Sequence, residues 1–199
     1  MKRLFASLKI HPDDEFLSKY RELRLALHRD QIKWVEEYNI HITLKFFGEI
    51  EEQNIPGIAK VLNDRASKTF SVSLSLSKLG IFGSSYAPKV IWVGIEPFSE
   101  LSMLMKNIHD DLAAIGYQPD RQNLVPHLTL GRIKFLRDKI LFQNILGRHS
   151  DISTLPMNIR EMVLYESILR REGPEYIALD KFPFLKQNSP DCLPVQPGE

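Results

Sequence analysis

Asn39-Ile40-His41-Ile42-Thr43-Leu44-Lys45-Phe46-Phe47, stopped by Gly48, alternates in a way that predicts a strand, and His127-Leu128-Thr129-Leu130-Gly131-Arg132-Ile133 predicts another. Both contain His-x-Thr-Leu. Residues two apart on a strand share a face, so His41 stands beside Thr43 and His127 beside Thr129, with Ile42, Leu44, Leu128 and Leu130 turned to the core behind them. By the same parity Lys45 and Phe47 join the His41 face, Lys45 as a cation for an anion and Phe47 as a ring that could stack on a nucleobase. Arg132 is at an odd offset from His127 and needs a bulge near Gly131 to reach that face. The chain holds four threonines among 199 residues. Two His-x-Thr matches among six histidines would arise by chance less than about 1% of the time.

Working outward from these stretches, strands and helices alternate. Residues 2–10 read as a strand, and Pro12 with Asp13, Asp14 and Glu15 opens a helix running to about Asp30. A second helix is expected over 51–66, followed by strands over Phe70–Ser77 and Val90–Ile95 joined by a loop containing Gly80, Gly83 and Pro88. Leu101, Leu104, Met105, Ile108, Leu112 and Ile115 recur at helical spacing up to Gly116, a further helix is expected over 138–148, and strands over 159–169 and 176–179. The repeated motif suggests an internal pseudo-repeat. Residues 1–185 read as a single domain and 186–199, with Pro190, Pro194 and Pro197, as a disordered tail.

Composition narrows the function. Hydrophobic residues make up 43% and charged residues 26%, enough for a core burying roughly 70% of the unfolded surface at this length. A formal charge of +1 excludes a protein that grips long nucleic acid by charge alone, so nucleic-acid contact must be local. One cysteine, Cys192, makes no intrachain disulfide or cysteine-rich zinc site. No apolar run approaches the roughly 20 residues of a membrane span, and Lys9 interrupts the N-terminal apolar run too early for a signal peptide. A cytoplasmic monomer without membrane contact is expected.

Two imidazoles facing one cleft suit a displacement in which one takes a proton from the nucleophile and the other gives one to the leaving group. Two hydroxyls beside them could hold an anion, the set that an in-line displacement at a phosphodiester needs. No carboxylate or thiol lies at ligand spacing from either histidine, so no metal is expected. The plainer alternative is a pair of half-buried strand histidines bonded to neighbouring threonines. His11, His28, His109 and His149 read as surface residues, and Trp34 and Trp92 as packing residues.

The doubled motif resembles the 2H phosphoesterase superfamily, and the wider context resembles its RNA 2′,3′-cyclic phosphodiesterase branch, also called 2′-5′ RNA ligases. The supporting stretches are Arg3-Leu4-Phe5-Ala6, residues 39–49, Val90-Ile91-Trp92-Val93-Gly94, residues 126–132, and Leu164-Tyr165-Glu166-Ser167. The resemblance implies an α+β bilobal fold, two pseudo-repeated lobes of antiparallel-rich sheet with outer helices around a central cleft. It further implies His41 as proton donor to the leaving ribose oxygen, His127 as the base activating water, and Thr43 and Thr129 as phosphate anchors, with Arg132 near the phosphate. The expected reaction opens a terminal 2′,3′-cyclic phosphate of RNA or a nucleotide to a 2′-phosphomonoester with no cofactor. The alternatives are 2′-5′ RNA end-joining by the reverse chemistry and a non-catalytic nucleotide- or RNA-end-binding module.

Overall fold

The computed structural model describes residues 1–119, 125–171 and 173–186, so the expectation of a disordered tail lies outside the described residues, Lys186 excepted. Strands and helices follow one another there in the order β1 Lys2–Lys9, α1 Asp14–Ala26, β2 Gln31–Trp34, β3 His41–Ile50, α2 Ile55–Ala66, β4 Val72–Gly83, β5 Pro88–Glu96, α3 Phe98–Ala113, β6 Leu128–Phe135, α4 Lys139–Arg148, β7 Met157–Ile159, β8 Glu161–Leu169 and β9 Pro174–Pro183. Helices α1 and α4 start where a side chain can take up their free amide hydrogens. Asp13 accepts from Phe16 N at 2.8 Å to open α1, and Asp138 accepts from Ile140 N and Leu141 N at 2.9 Å to open α4.

The strands form one antiparallel sheet in the order β7-β4-β5-β6-β3-β1-β8-β9, with β2 also on β6. It curls into a half-barrel of two lobes, β6-β5-β4-β7 and β3-β1-β8-β9. The lobes join where β3 meets β6, through the single pair Ile42↔Leu128. Both residues are fully buried, each burial worth about 2 kcal/mol, so the join is pinned by the apolar half of each motif. Behind one lobe α2 and α3 pack together, tied by a two-pronged Arg65–Asp111 ion pair at 2.7 and 2.8 Å. Behind the other, α1 packs on α4 and reaches β6.

Three local expectations change. The first helix ends at Ala26 instead of about Asp30, because residues 27–30 close into turns and free the chain for β2, a four-residue strand too short to show a period. The expected loop with Gly80 and Gly83 is the second half of β4, and Gly80 lies under the Trp92 ring, where a β-carbon would overlap the indole. His109 is buried, not on the surface: it lies one helical turn after Met105 on the inner stripe of α3, and its Nε2 sits 3.1 Å from the Leu44 carbonyl.

Candidate active site

The Ile42↔Leu128 pair is antiparallel, so the residues flanking each partner emerge together on the opposite face. His41 and Thr43 therefore stand beside Thr129 and His127, each histidine next to the other motif's threonine. The strand pairing thus brings all four to one face of the sheet, at the junction of the lobes. His41 and His127 are close enough for each other's charge to be felt, and Arg132 and Lys9 add to the positive field at His41.

Both imidazoles are held in the same way. The Nδ1 of His41 lies 2.6 Å from the Asn39 carbonyl and that of His127 lies 2.8 Å from the Val125 carbonyl, in each case two residues upstream. A carbonyl only accepts, so Nδ1 carries the hydrogen and Nε2 is left for the cleft. Asn39 is fixed in turn, its side-chain amide donating to the Pro174 carbonyl at 2.9 Å, and Arg21 grips Glu37 two residues before it. Phe5 and Tyr176 flank the His41 ring at 5.1 and 5.3 Å, while Phe82 meets the His127 ring edge-on at 4.7 Å with Trp92 behind. Burial in this apolar surround disfavours the charged imidazole, holding His41 down to about 4 and lowering His127 too.

A bulge decides where the residues after each motif point. In the β6 ladder, Thr129 faces Trp92 and Gly131 faces Ile91, so Leu130 is an extra residue. In the β3 ladder, Thr43 faces Ser7 and Lys45 faces Ala6, so Leu44 is extra. An extra residue inverts the alternation. The residue five places after each histidine thus returns to the motif's face: Arg132 in β6 and Phe46 in β3. Arg132 lies near enough for its charge to act on both histidines and on Tyr176. Phe46 is about half exposed and lies against Phe5, 5.8 Å between rings.

The same inversion corrects two placements. Lys45 pairs with Ala6, on the face opposite Phe5 and His41, and its ammonium donates to the Gln118 carbonyl at 2.9 Å. Phe47 is the extra residue of a second bulge, between the Leu4↔Gly48 and Phe5↔Phe46 pairs, and packs on Tyr117 at 5.6 Å. Gly48 has φ 76°, a left-handed conformation that glycine adopts without steric penalty. Neither Lys45 nor Phe47 shares the surface with the motifs.

The extra residues expose carbonyls, and each is met from behind by a buried helical side chain. The Tyr20 hydroxyl lies 2.6 Å from the Val35 carbonyl and 3.0 Å from that of Leu130, which also accepts from Val35 N at 2.9 Å. Burial pushes the Tyr20 phenol up, so it remains a donor. His109 does the corresponding work at Leu44. Tyr20 and His109 carry no site signal in the sequence, because each joins the site through long-range contact. Among the described residues no group of three or more His, Cys, Asp or Glu could hold a metal ion, and no helix is long and apolar enough to cross a membrane.

Comparison with known proteins gives one answer. The family model described as LigT like Phosphoesterase matches twice, over residues 10–92 and 93–176. The RNA 2′,3′-cyclic phosphodiesterase of Methanocaldococcus jannaschii is 32% identical over 176 residues, covering 87% of this chain and 96% of that protein. That of Archaeoglobus fulgidus is 30% identical, covering 90% and 99%. Among solved structures, TT0787 of Thermus thermophilus superposes with a TM-score of 0.73 at 21% identity, covering 94% of this chain and all of that one.

Proposed function

The chain belongs to the LigT-like phosphoesterase family, and on that footing we propose that it opens terminal 2′,3′-cyclic phosphates on RNA or nucleotides to 2′-phosphomonoesters. The observation that carries this reading is the paired placement of the motifs about Ile42↔Leu128, with each Nε2 left for the cleft by the upstream carbonyl on Nδ1.

In the proposed reaction His127 Nε2 takes a proton from a water, whose oxygen forms the new bond to phosphorus. The bond from phosphorus to the ribose 3′ oxygen breaks, and that oxygen receives a proton from His41 Nε2. One proton enters the protein at His127 and one leaves at His41, so the pair must be reset between turnovers. Thr43, Thr129 and Arg132 supply hydrogen bonds to the non-bridging oxygens, where negative charge builds up. The free site holds both imidazoles neutral through burial. An anionic phosphate placed between them favours the protonated form, so substrate itself raises the His41 pKa toward its working range. The ring available for the nucleobase is Phe46, which stands on the His41 face in place of Phe47.

The test is to incubate the purified protein, with EDTA present, with each of the four nucleoside 2′,3′-cyclic phosphates and to resolve 2′- from 3′-monophosphates. The 2′ isomer is expected. Absence of any monophosphate, with tight binding of the products, transfers the site to the binding-module reading. A 2′-5′ joined dinucleotide formed from the cyclic phosphate and an excess of nucleoside would show the same groups working with a ribose hydroxyl in place of water.

A further inference from the structure

One cavity opens beside His41, and a second adjoins it, with Lys9 and Tyr165 as common wall. The first, of about 410 Å³, runs from His41 past Phe5, Tyr38 and Tyr176 to Arg170. The second, of about 520 Å³, continues beyond Lys9 to His11, Arg160 and Lys181. Together they make one groove leading away from the reacting pair. The first stretch is walled by rings and the second by basic side chains.

The charge is concentrated here against a nearly neutral background. The whole chain carries +1, yet the groove holds Lys9, Arg160, Arg170 and Lys181 against two carboxylates, Glu161 and Glu175. Each carboxylate already has a cation, Glu175 on Arg170 at 2.9 Å and Glu161 on Lys181 at 3.6 Å. Lys9 and Arg160 meet no carboxylate among the described residues. Displacement at a single phosphate between His41 and His127 uses none of Arg160, Lys181 or Arg170. A row of ring faces followed by cations is what an unpaired strand of nucleic acid needs, with bases on the rings and phosphates at the cations.

We propose that this groove binds the RNA on the 5′ side of the terminal nucleoside, so that the site is built for the end of a single strand and not for a free cyclic nucleotide. The cyclic phosphate stands at the 3′ end of its strand, and the chain can leave the reacting centre only in the 5′ direction. It passes Tyr176 and Tyr165, with a backbone phosphate at Lys9 and a later one at Arg160 and Lys181. This inference rests on the cyclic-phosphate reading of His41 and His127 for its polarity.

The experiment compares adenosine 2′,3′-cyclic phosphate with a tetraadenylate ending in the same cyclic phosphate, using wild type and the double variant R160Q/K181Q. Arg160 and Lys181 are exposed and lie in the stretch of groove beyond Lys9, away from the histidine pair, so folding is checked by an unchanged melting temperature. In wild type the tetramer is expected to have the higher kcat/KM at about 50 mM salt, with the advantage falling as salt rises. In the double variant the tetramer loses about tenfold while the mononucleotide stays within twofold. A wild type that handles both substrates alike, or a double variant that loses equally on both, overturns the proposal. Fluorescence anisotropy with a tetraadenylate ending in a 2′-phosphate reads the groove without turnover. If wild type opens neither cyclic phosphate, the reaction reading fails, yet tetramer binding weakened about tenfold in R160Q/K181Q still supports the groove. Unchanged binding overturns it as well.

Discussion

The His41 and His127 halves use one backbone device with different contents. Each imidazole is fixed through Nδ1 by the carbonyl two residues upstream, each strand bulges at the leucine three places after the histidine, and each bulge carbonyl meets a buried side chain from a helix behind. The fifth position after each histidine then turns onto the shared surface. In one half it brings a guanidinium, in the other an aromatic ring. Symmetric scaffolding thus yields a chemically lopsided surface, with a guanidinium on the Arg132 side and a half-exposed ring on the Phe46 side.

The comparison breaks most readily at the histidines. His41→Ala and His127→Ala should each lower turnover of a cyclic phosphate by roughly 10²- to 10⁴-fold, with little change in melting temperature. Either variant retaining near wild-type turnover would leave only one half chemically active, so both are measured on all four nucleotides.

Burial sets a pH signature of comparable weight. The folded-state pKa of His41 is near 4 against about 6.5 for an exposed imidazole, so the unfolded chain protonates first on acidification. The stabilisation from the neutral ring is complete above pH 6.5 and is lost as pH falls through that value toward 4, by at most about 3 kcal/mol. Denaturant unfolding at pH 7 and pH 4.5 should show this loss in wild type and a smaller one in His41→Gln. His127, also lowered by burial, gives the same sign, and both limbs of kcat/KM should lie on the acid side of 6.5. An optimum above pH 7 would contradict this.

The fifth positions come next. Arg132→Ala should weaken phosphate affinity by about 1.5–3 kcal/mol, as for a hydrogen bond to a charged group, whereas Phe46→Ala should cost about 1 kcal/mol in nucleotide affinity and leave inorganic phosphate binding alone. Phe47→Ala serves as the contrast: it should lower melting temperature without moving KM. Equal KM effects at Phe46 and Phe47 would mean that the bulge does not sort the two rings.

The smallest effect tests the support behind the bulge. Tyr20→Phe removes one hydroxyl and should raise KM by about fivefold through looser placement of Arg132. In an Arg132→Ala background that increase should vanish, which a general loss of stability would not reproduce.

The doubled motif, its apolar reverse side and the order of the main elements are legible in the sequence from period-two and helical spacing, because those patterns are local. Arg132 and Phe47 show where local reasoning stops. Parity over more than about three residues assumes a regular ladder, and an extra residue at Leu44 or Leu130 leaves no mark in composition. The assumption puts Phe47 and Lys45 on a surface they do not share and hides Phe46. The burial of His109 is equally silent, since its partner is a carbonyl 65 residues away in the chain.

The helices behind the bulges have a topological consequence. Tyr20, in the first family repeat, supports the motif strand of the second, and His109, in the second, supports that of the first. The pairing obeys the same exchange, β4 of the first repeat lying on β7 of the second, and β5, which spans their boundary, lying on β6. The two repeats are therefore swapped into each other and not merely set side by side. Severing the chain between residues 92 and 93, within β5, would give fragments that each lack the backing of their own histidine, so neither should fold alone, and the circular dichroism of the intact chain should return only when both are mixed.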